Sequence, residues 1–161
     1  MDRRASWYGG DVSKAFTNED TPAPDDADAL PPRARRLPIT AAGYARLRSE
    51  LDTLTQRNPA GEVGARRARV LVQVLESVDV VAPSLVDGRA GFGTRVTVED
   101  PDGRRIVYDL VGPDEADLAA GQISIASSVA QALLGKRAGD QAVLRRPKGD
   151  VEVTVRSVAL P

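Results

Sequence analysis

The sequence contains no cysteine and no histidine among its 161 residues. Zinc and copper sites rely on thiolate and imidazole ligands, so neither kind of site can be built from these side chains. Nucleophilic catalysis by a Ser–His or Cys–His pair is excluded for the same reason, and no disulfide can stabilise the fold. A Mg²⁺ or Ca²⁺ site made of carboxylates alone remains open.

Aromatic residues and long apolar runs are also scarce. The chain has one Trp, three Tyr and two Phe, and no apolar run approaches the roughly 20 residues of a transmembrane helix. The N-terminus lacks the apolar stretch of a secretory signal. Lys and Arg (22) nearly balance Asp and Glu (23), which argues against a general nucleic-acid binder. We therefore expect a cytoplasmic protein without membrane contact, long enough for two small domains.

Residues 1–36 are predicted to form a disordered leader, because they show no regular apolar period. The leader carries an acidic block and then a basic cluster: Glu19, Asp20, Asp25, Asp26 and Asp28, followed by Arg33, Arg35 and Arg36. Such charge blocks serve either as interaction tails or as solvated leaders.

Residues 37–82 have the apolar spacing of two short helices. Thr40 is a suitable N-cap, and an apolar stripe follows it at spacings of three and four: Tyr44, Leu47, Leu51 and Leu54. Asn58-Pro59-Ala60-Gly61 stops the first helix, and the second is predicted from Ala65 to Ser77. Two such helices pack as an antiparallel hairpin, here about 20 Å long.

Residues 83–161 change to a period of two. Thr94–Val98 and Ile106–Val111 flank an Asp-Gly turn, and Gln141–Arg146 and Val151–Val158 flank a second turn, so two β-hairpins are predicted. Between them Ser127 to Gly135 indicates a short helix. The fold class is therefore α+β: a helical hairpin followed by an antiparallel sheet with one helix.

The stretch GPDEAD, residues 112–117, places three carboxylates close together: Asp114, Glu115 and Asp117. Such a cluster can bind a metal, cap a helix, dock on a basic partner or keep a loop solvated. A metal site would need carboxylates from a second segment, and this part of the sequence offers no second cluster. Docking through the negative charge and solvation of the loop both remain open.

The longer motifs resemble a known family. FGTRVTVED, then VYDLVGPDEADLAAGQISIASSVAQALLGKRAGD and a closing Val-rich strand, resemble the C-terminal domain of the bacterial Gre transcript-cleavage factors. ITAAGYARLRSEL resembles the start of the Gre coiled coil, and SKAFTNED is similar to the leader of GreB-type proteins.

The resemblance implies an FKBP-like C-terminal domain that docks at the rim of the RNA polymerase secondary channel, while a coiled coil reaches inward. Acidic residues at its tip help to hold the Mg²⁺ with which polymerase cuts backtracked RNA. The polymerase-facing residues implied for this chain are Asp114, Glu115, Asp117, Ser124, Ser127 and Ser128. Ser128 stands where the family usually has proline, which suits the first position of a helix. The expected protein is a monomeric accessory factor with no cofactor of its own, and it meets nucleic acid only through the transcription complex.

The tip of the coiled coil departs from the family. TQRNPAGEVGARRAR replaces a long stretch with paired acids, and Glu62 is its only carboxylate. Three arginines of this stretch, Arg66, Arg67 and Arg69, are either a contact to RNA or polymerase or a solvated helix end.

The missing tip predicts a polymerase-binding regulator without cleavage stimulation. A genuine cleavage factor is one alternative. A prolyl isomerase is another, although its pocket would need aromatics and the C-terminal domain has only Phe92 and Tyr108.

Overall fold

The structure is a computed structural model and describes residues 35–56 and 61–161. The predictions made for residues 1–34 and for the turn at 57–60 lie outside the described residues. In chain order the elements are β1 (Leu37–Ile39), α1 (Ala41–Gln56), α2 (Gly61–Glu76), β2 (Val78–Val80), β3 (Arg95–Glu99), β4 (Arg105–Val111), two 3-10 turns (Pro113–Glu115 and Leu118–Ala120), β5 (Gln122–Ser124), α3 (Ser128–Leu133), β6 (Gln141–Leu144) and β7 (Val151–Ala159).

Helix α1 forms as its capping and apolar pattern predicted. Thr40 is the N-cap, since its Oγ1 accepts a hydrogen bond from the Gly43 N–H at 3.0 Å. Leu47 and Leu51 are buried against α2, where Leu71 is 1% exposed. This contact forms the core of the helical hairpin.

Helix α2 begins at Gly61, four residues before the predicted start at Ala65, and ends at Glu76. Gly61 has φ +75°, a left-handed conformation that favours glycine. The sequence analysis assigned this glycine to the turn, and the predicted helix therefore began too late. Glu62 lies in the first turn of α2, where a negative charge is favourable to the helix dipole. Only residues 57–60 therefore connect the two helices.

None of the helices in the described ranges is long and apolar enough to cross a membrane.

A parallel pair of three-residue strands closes the base of the hairpin, and the sequence reasoning missed it. Strand β1 pairs with β2, with Ile39 opposite Val80 and Leu37 opposite Val78. Parallel strands need a crossover connection, and α1 and α2 together provide it. Ile39 and Val78 are both buried in the hairpin core.

The C-terminal part is a five-stranded sheet of order β5-β4-β3-β7-β6. Both predicted β-hairpins are confirmed, because β3 pairs antiparallel with β4 and β6 with β7. The first turn is closed by Gly103, at φ +76°, and by Asp100, whose Oδ1 accepts two backbone hydrogen bonds. Strand β5 runs parallel to β4, so the sheet is mixed rather than wholly antiparallel. The α+β class is confirmed.

Helix α3 packs on the inner face of this sheet. The Ser127 Oγ accepts a hydrogen bond from the Ala130 N–H at 3.2 Å, and Gly135 follows the helix at φ +77°, as predicted. Ala130 and Leu133 are fully buried in a second core together with the inward residues of the strands: Val96, Val98, Leu110, Ile123, Ala142, Leu144, Val153 and Val155.

The outer face of the sheet is polar and crossed by ion pairs. Arg95 binds Asp109 through two hydrogen bonds, of 2.7 and 2.9 Å. Glu99 accepts hydrogen bonds from Arg156 and Arg105, which hold the pKa of Glu99 below its ordinary value. Arg95 lies directly opposite Asp109, and Glu99 directly opposite Arg105, across β3 and β4, an arrangement that favours the observed register.

Candidate functional site

The segment between β4 and β5 contains the predicted acidic cluster in two consecutive 3-10 turns. Asp117 begins the second turn, and its Oδ1 accepts hydrogen bonds from the N–H groups of Ala119 (3.0 Å) and Ala120 (3.3 Å). Gly121, at φ +75°, ends that turn. Asp117 therefore has a capping role while its side chain stays at the surface.

Glu115 is placed differently from its neighbours. It is 2% exposed, and its carboxylate accepts three hydrogen bonds: from the Thr40 N–H (2.9 Å), the Thr40 hydroxyl (2.5 Å) and the Gly112 N–H (2.8 Å). Buried charges are tolerated when hydrogen bonds replace their lost hydration. In this arrangement the Glu115 side chain contacts the N-cap of α1 and is not presented to a partner.

Arg46, on α1, makes a second connection to the same segment. Its Nη2 donates to the Glu115 carbonyl oxygen at 2.6 Å, and its Nη1 donates to Gln122 Oε1 at 3.1 Å. The backbone of Gln122 pairs in turn with that of Asp117. The start of α1 and the acidic segment thus form one continuous surface.

A groove of about 510 Å³ lies where the hairpin base meets this segment. Its lining combines basic, acidic and apolar residues: Arg46, Leu47, Glu50, Arg67, Asp114, Ala116, Asp117, Leu118 and Ala119. Leu118 is 82% exposed, an unusual position for a leucine held in an ordered turn. The groove therefore offers carboxylates beside an exposed apolar side chain.

The three predicted serines lie at the end of β5 and at the start of α3. Ser124 accepts a hydrogen bond from the Ala126 N–H, and Ser127 caps α3. Ser128 is exposed, and its hydroxyl lies 3.5 Å from the Arg145 carbonyl oxygen. The structure thus assigns structural contacts to Ser124 and Ser127 and leaves Ser128 at the surface.

Ser128 lines a second groove, of about 530 Å³, between α3 and β6. Gln131, Ala132, Val143, Arg145 and Asp150 complete its lining. Neither this groove nor the first is lined by Phe92 or Tyr108. The two grooves thus lack the aromatic lining on which the prolyl isomerase alternative depended.

The arginine cluster of α2 is partly engaged within the hairpin. Arg67 binds Glu50 of α1 through Nε (2.7 Å) and Nη2 (3.0 Å). This hydrogen bonding is the main cause that lowers the pKa of Glu50, aided by the positive charges of Arg67 and Arg46 and opposed by partial burial. All three arginines are exposed to solvent, and the guanidinium of Arg67 binds Glu50 within the hairpin.

Within the described ranges, no group of three or more carboxylates is positioned to hold a metal ion.

Sequence reasoning did not single out two residues of the site, Arg46 and Leu118. Arg46 is one of several polar residues on the outside of α1, so no local pattern marks it. Leu118 follows the acidic cluster directly, and a lone leucine among charged and small residues (DLAAG) is a signal that could have been used.

Comparison with solved structures found similarity to GreA factor homolog 1 (Gfh1) of Thermus thermophilus. The two chains are 28% identical with a TM-score of 0.41, and the match covers 77% of this chain and 99% of the other.

The family model for the C-terminal domain of the transcription elongation factors GreA/GreB matches residues 85–160. Transcription elongation factor GreA of Ralstonia nicotianae is 36% identical over 140 residues, covering 83% of this chain and 89% of that protein. Transcription elongation factor GreB of Pseudomonas aeruginosa is 38% identical over 149 residues, covering 74% of this chain and 89% of that protein. On this similarity along both parts of the molecule, the chain belongs to the GreA/GreB family of transcription elongation factors.

Proposed function

We propose that this chain is a monomeric accessory factor of RNA polymerase that docks at the secondary-channel entrance and does not stimulate transcript cleavage. Membership of the GreA/GreB family supports polymerase as the partner. The absence of cleavage stimulation is inferred from this chain's own hairpin.

The length of the hairpin is the observation that carries the proposal. Helices α1 and α2 have 16 residues each, which corresponds to about 24 Å at 1.5 Å per residue. In the sequence, four residues, 57–60, separate the end of α1 from the start of α2. The match to the Pseudomonas protein spans 149 residues yet covers 74% of this 161-residue chain, so part of that relative has no counterpart here.

The acidic residues of the hairpin also fall short of what cleavage needs. Between Asp52 and Glu76 the sequence contains one acid, Glu62. Metal-assisted cleavage lowers the pKa of the attacking water and neutralises developing phosphate charge, and the family resemblance implies paired tip carboxylates for this task. Glu62 alone, exposed in the first turn of α2, cannot supply such a pair.

The groove at the hairpin base is the proposed docking surface. Asp114 and Asp117 lie beside the exposed Leu118, a combination that suits a basic surface with a small apolar contact. Carboxylates at the rim of an interface steer encounter, whereas an apolar side chain that becomes buried adds affinity. Ser128 and the second groove lie at the start of α3 and extend the proposed surface.

The test is a binding assay with RNA polymerase combined with a cleavage assay on backtracked complexes. We expect the protein to bind polymerase, to leave cleavage at the intrinsic rate, and to reduce cleavage by an intact Gre factor when added in excess. Glu62→Gln should behave as the parent chain does. Stimulated cleavage that this one substitution abolishes would show a genuine cleavage factor instead.

A further inference from the structure

The Glu115 carboxylate lies between two parts of the chain that are distant in sequence. Its hydrogen bonds join Thr40, at the start of the helical hairpin, to residues of the C-terminal sheet domain 75 positions later. The Thr40 hydroxyl accepts from the Gly43 N–H while it donates to Glu115. One carboxylate thus completes the cap of α1 from outside the hairpin.

Two glycines allow this close approach. A Cβ built on Gly43 would lie 1.8 Å from Glu115 Oε2, and one built on Gly112 would lie 1.9 Å from the Pro38 carbonyl oxygen. Real Cβ atoms do not approach other atoms so closely, so a side chain at either position would force the two parts of the molecule away from each other. The close packing of the segment at residues 112–115 against the start of α1 therefore requires glycine at both positions.

We propose that Glu115 is a positioning residue that sets the direction of the helical hairpin relative to the C-terminal sheet domain. In any other orientation the Glu115 carboxylate would lose its two Thr40 donors, and the Thr40 N–H would lose its acceptor, at a site that is buried in the observed arrangement. Unpaired buried polar groups are costly, more so when charged. Arg46 supports the same orientation through the Glu115 carbonyl oxygen. This inference does not depend on the proposed function, because the direction is a property of the free protein.

A distance measurement on the free protein tests the proposal. The chain has no cysteine, so Val63→Cys near the end of the hairpin and Glu152→Cys on β7 allow a pair of spin labels at exposed positions. We expect one narrow distance distribution for this doubly labelled parent. A swing of about 10° at the junction would move the hairpin label by about 4 Å, given helices of about 24 Å.

Two substitutions in the labelled protein distinguish positioning from general destabilisation. Thr40→Val removes the hydroxyl with little change of shape, and we expect the distribution to widen or shift by about 4 Å or more, by the same lever-arm estimate. Thr40→Ser retains the hydroxyl and should keep the parent distribution. Glu115→Gln should resemble Thr40→Val, whereas Asp117→Asn, a carboxylate change in the same segment, should resemble the parent.

Circular dichroism establishes that each variant is folded before its distances are compared. If Glu115→Gln fails to fold, the matched pair at Thr40 decides the question. A Thr40→Val distribution as narrow as that of the parent, and at the same distance, would overturn the proposal.

Discussion

Asp117 and Glu115 are two positions apart, yet their carboxylates have opposite surroundings. Asp117 is exposed and caps a 3-10 turn, so its charge stays hydrated and can reach a partner. Glu115 is 2% exposed and bound to Thr40 and Gly112. At the scale of single residues, burial thus separates two roles: the exposed Asp117 carboxylate is accessible to solvent, whereas the buried Glu115 carboxylate stabilises the fold.

The first prediction concerns the two aspartates of the cluster, of which Asp117 is exposed and Asp114 is half-buried. Asp114→Asn combined with Asp117→Asn should weaken polymerase binding by about 1 to 3 kcal/mol, because carboxylates that pair with basic groups of a partner would be lost. Asparagine also caps helical turns well, so the fold should persist. Raised salt should reduce the affinity of the parent in the same direction.

A variant with the same change of net charge provides the control for that binding measurement. Asp102→Asn with Glu152→Gln removes two exposed carboxylates outside the proposed docking surface, and its affinity for polymerase should match the parent. Equal weakening by both double variants would indicate a general charge effect and contradict the docking assignment.

At the scale of elements, the start of α3 can accommodate the proline that the family resemblance implies at position 128. Ser127 is extended, with φ −72° and ψ 152°, a conformation that a following proline favours. Ser128 is the first residue of the helix, where a missing N–H costs nothing. The backbone is therefore compatible with either residue.

Ser128→Pro should consequently stabilise the protein by about 0.4 to 1 kcal/mol, through a lower conformational entropy of the unfolded chain. Urea unfolding followed by circular dichroism measures this change, and Ser124→Pro, placed inside strand β5, is the contrasting control that should destabilise. A loss of stability for Ser128→Pro would mean that the weak contact of the Ser128 hydroxyl with Arg145 matters more than the helix start does.

The ion pair between α1 and α2 makes hairpin stability depend on pH. The hydrogen bonds from Arg67 lower the pKa of Glu50 below its ordinary value of 4.5. A lowered pKa in the folded state means that the stabilisation is present above the pKa of the unfolded chain and is lost as pH falls through the folded pKa.

Glu50→Gln should therefore lower the free energy of unfolding near pH 7 by about 0.3 to 1 kcal/mol, a range suited to a largely solvated pair. The difference from the parent should shrink once the pH falls below the ordinary glutamate value. Thermal unfolding at several pH values measures it, with Glu76→Gln, an exposed acid of the same hairpin, as control. A difference that does not change with pH would exclude the ion pair as its cause.

At the scale of the whole molecule, two cores meet at one junction. The hairpin core contains Ile39 to Val78 and the sheet core Ala90 to Val155. Arg36, which the sequence pattern assigned to the leader, donates to the Val78 carbonyl oxygen at 3.1 Å and pairs with Asp79 at 2.9 Å. The part that supports folding thus begins before residue 37.

Removal of residues 1–34 should leave the melting temperature within about a degree, because both described cores begin after this segment. Removal of residues 1–36 should cost about 0.3 to 1 kcal/mol more through the loss of the Arg36 contacts. Calorimetry measures the melting temperature and the unfolding free energy of the two truncated chains. A large drop for the shorter truncation would mean that the leader contributes to folding.

Whether a feature of the candidate site could be predicted depends on how far apart in the sequence its interacting residues lie. The acidic cluster and the serines were identifiable from the sequence because their motifs are contiguous. The burial of Glu115 and the hydrogen bonds of Arg46 were not, since they connect residues 69 to 76 positions apart. The start of α2 was placed late because proline and glycine in Asn58-Pro59-Ala60-Gly61 are typical of a turn, whereas Gly61 already belongs to the helix.

The sequence by itself determined the features that depend on neighbouring residues. The caps at Thr40 and Ser127, the Asp-Gly turn and the alternating Val residues of β7 all follow from hydrogen bonds or periodicities within a few positions. Tertiary structure alone decided the parallel pairing of β1 with β2, the addition of β5 beside β4 and the junction at Glu115. Strands of three residues have no periodic signal, and a carboxylate becomes buried only when distant segments bring donors that replace water around its charge.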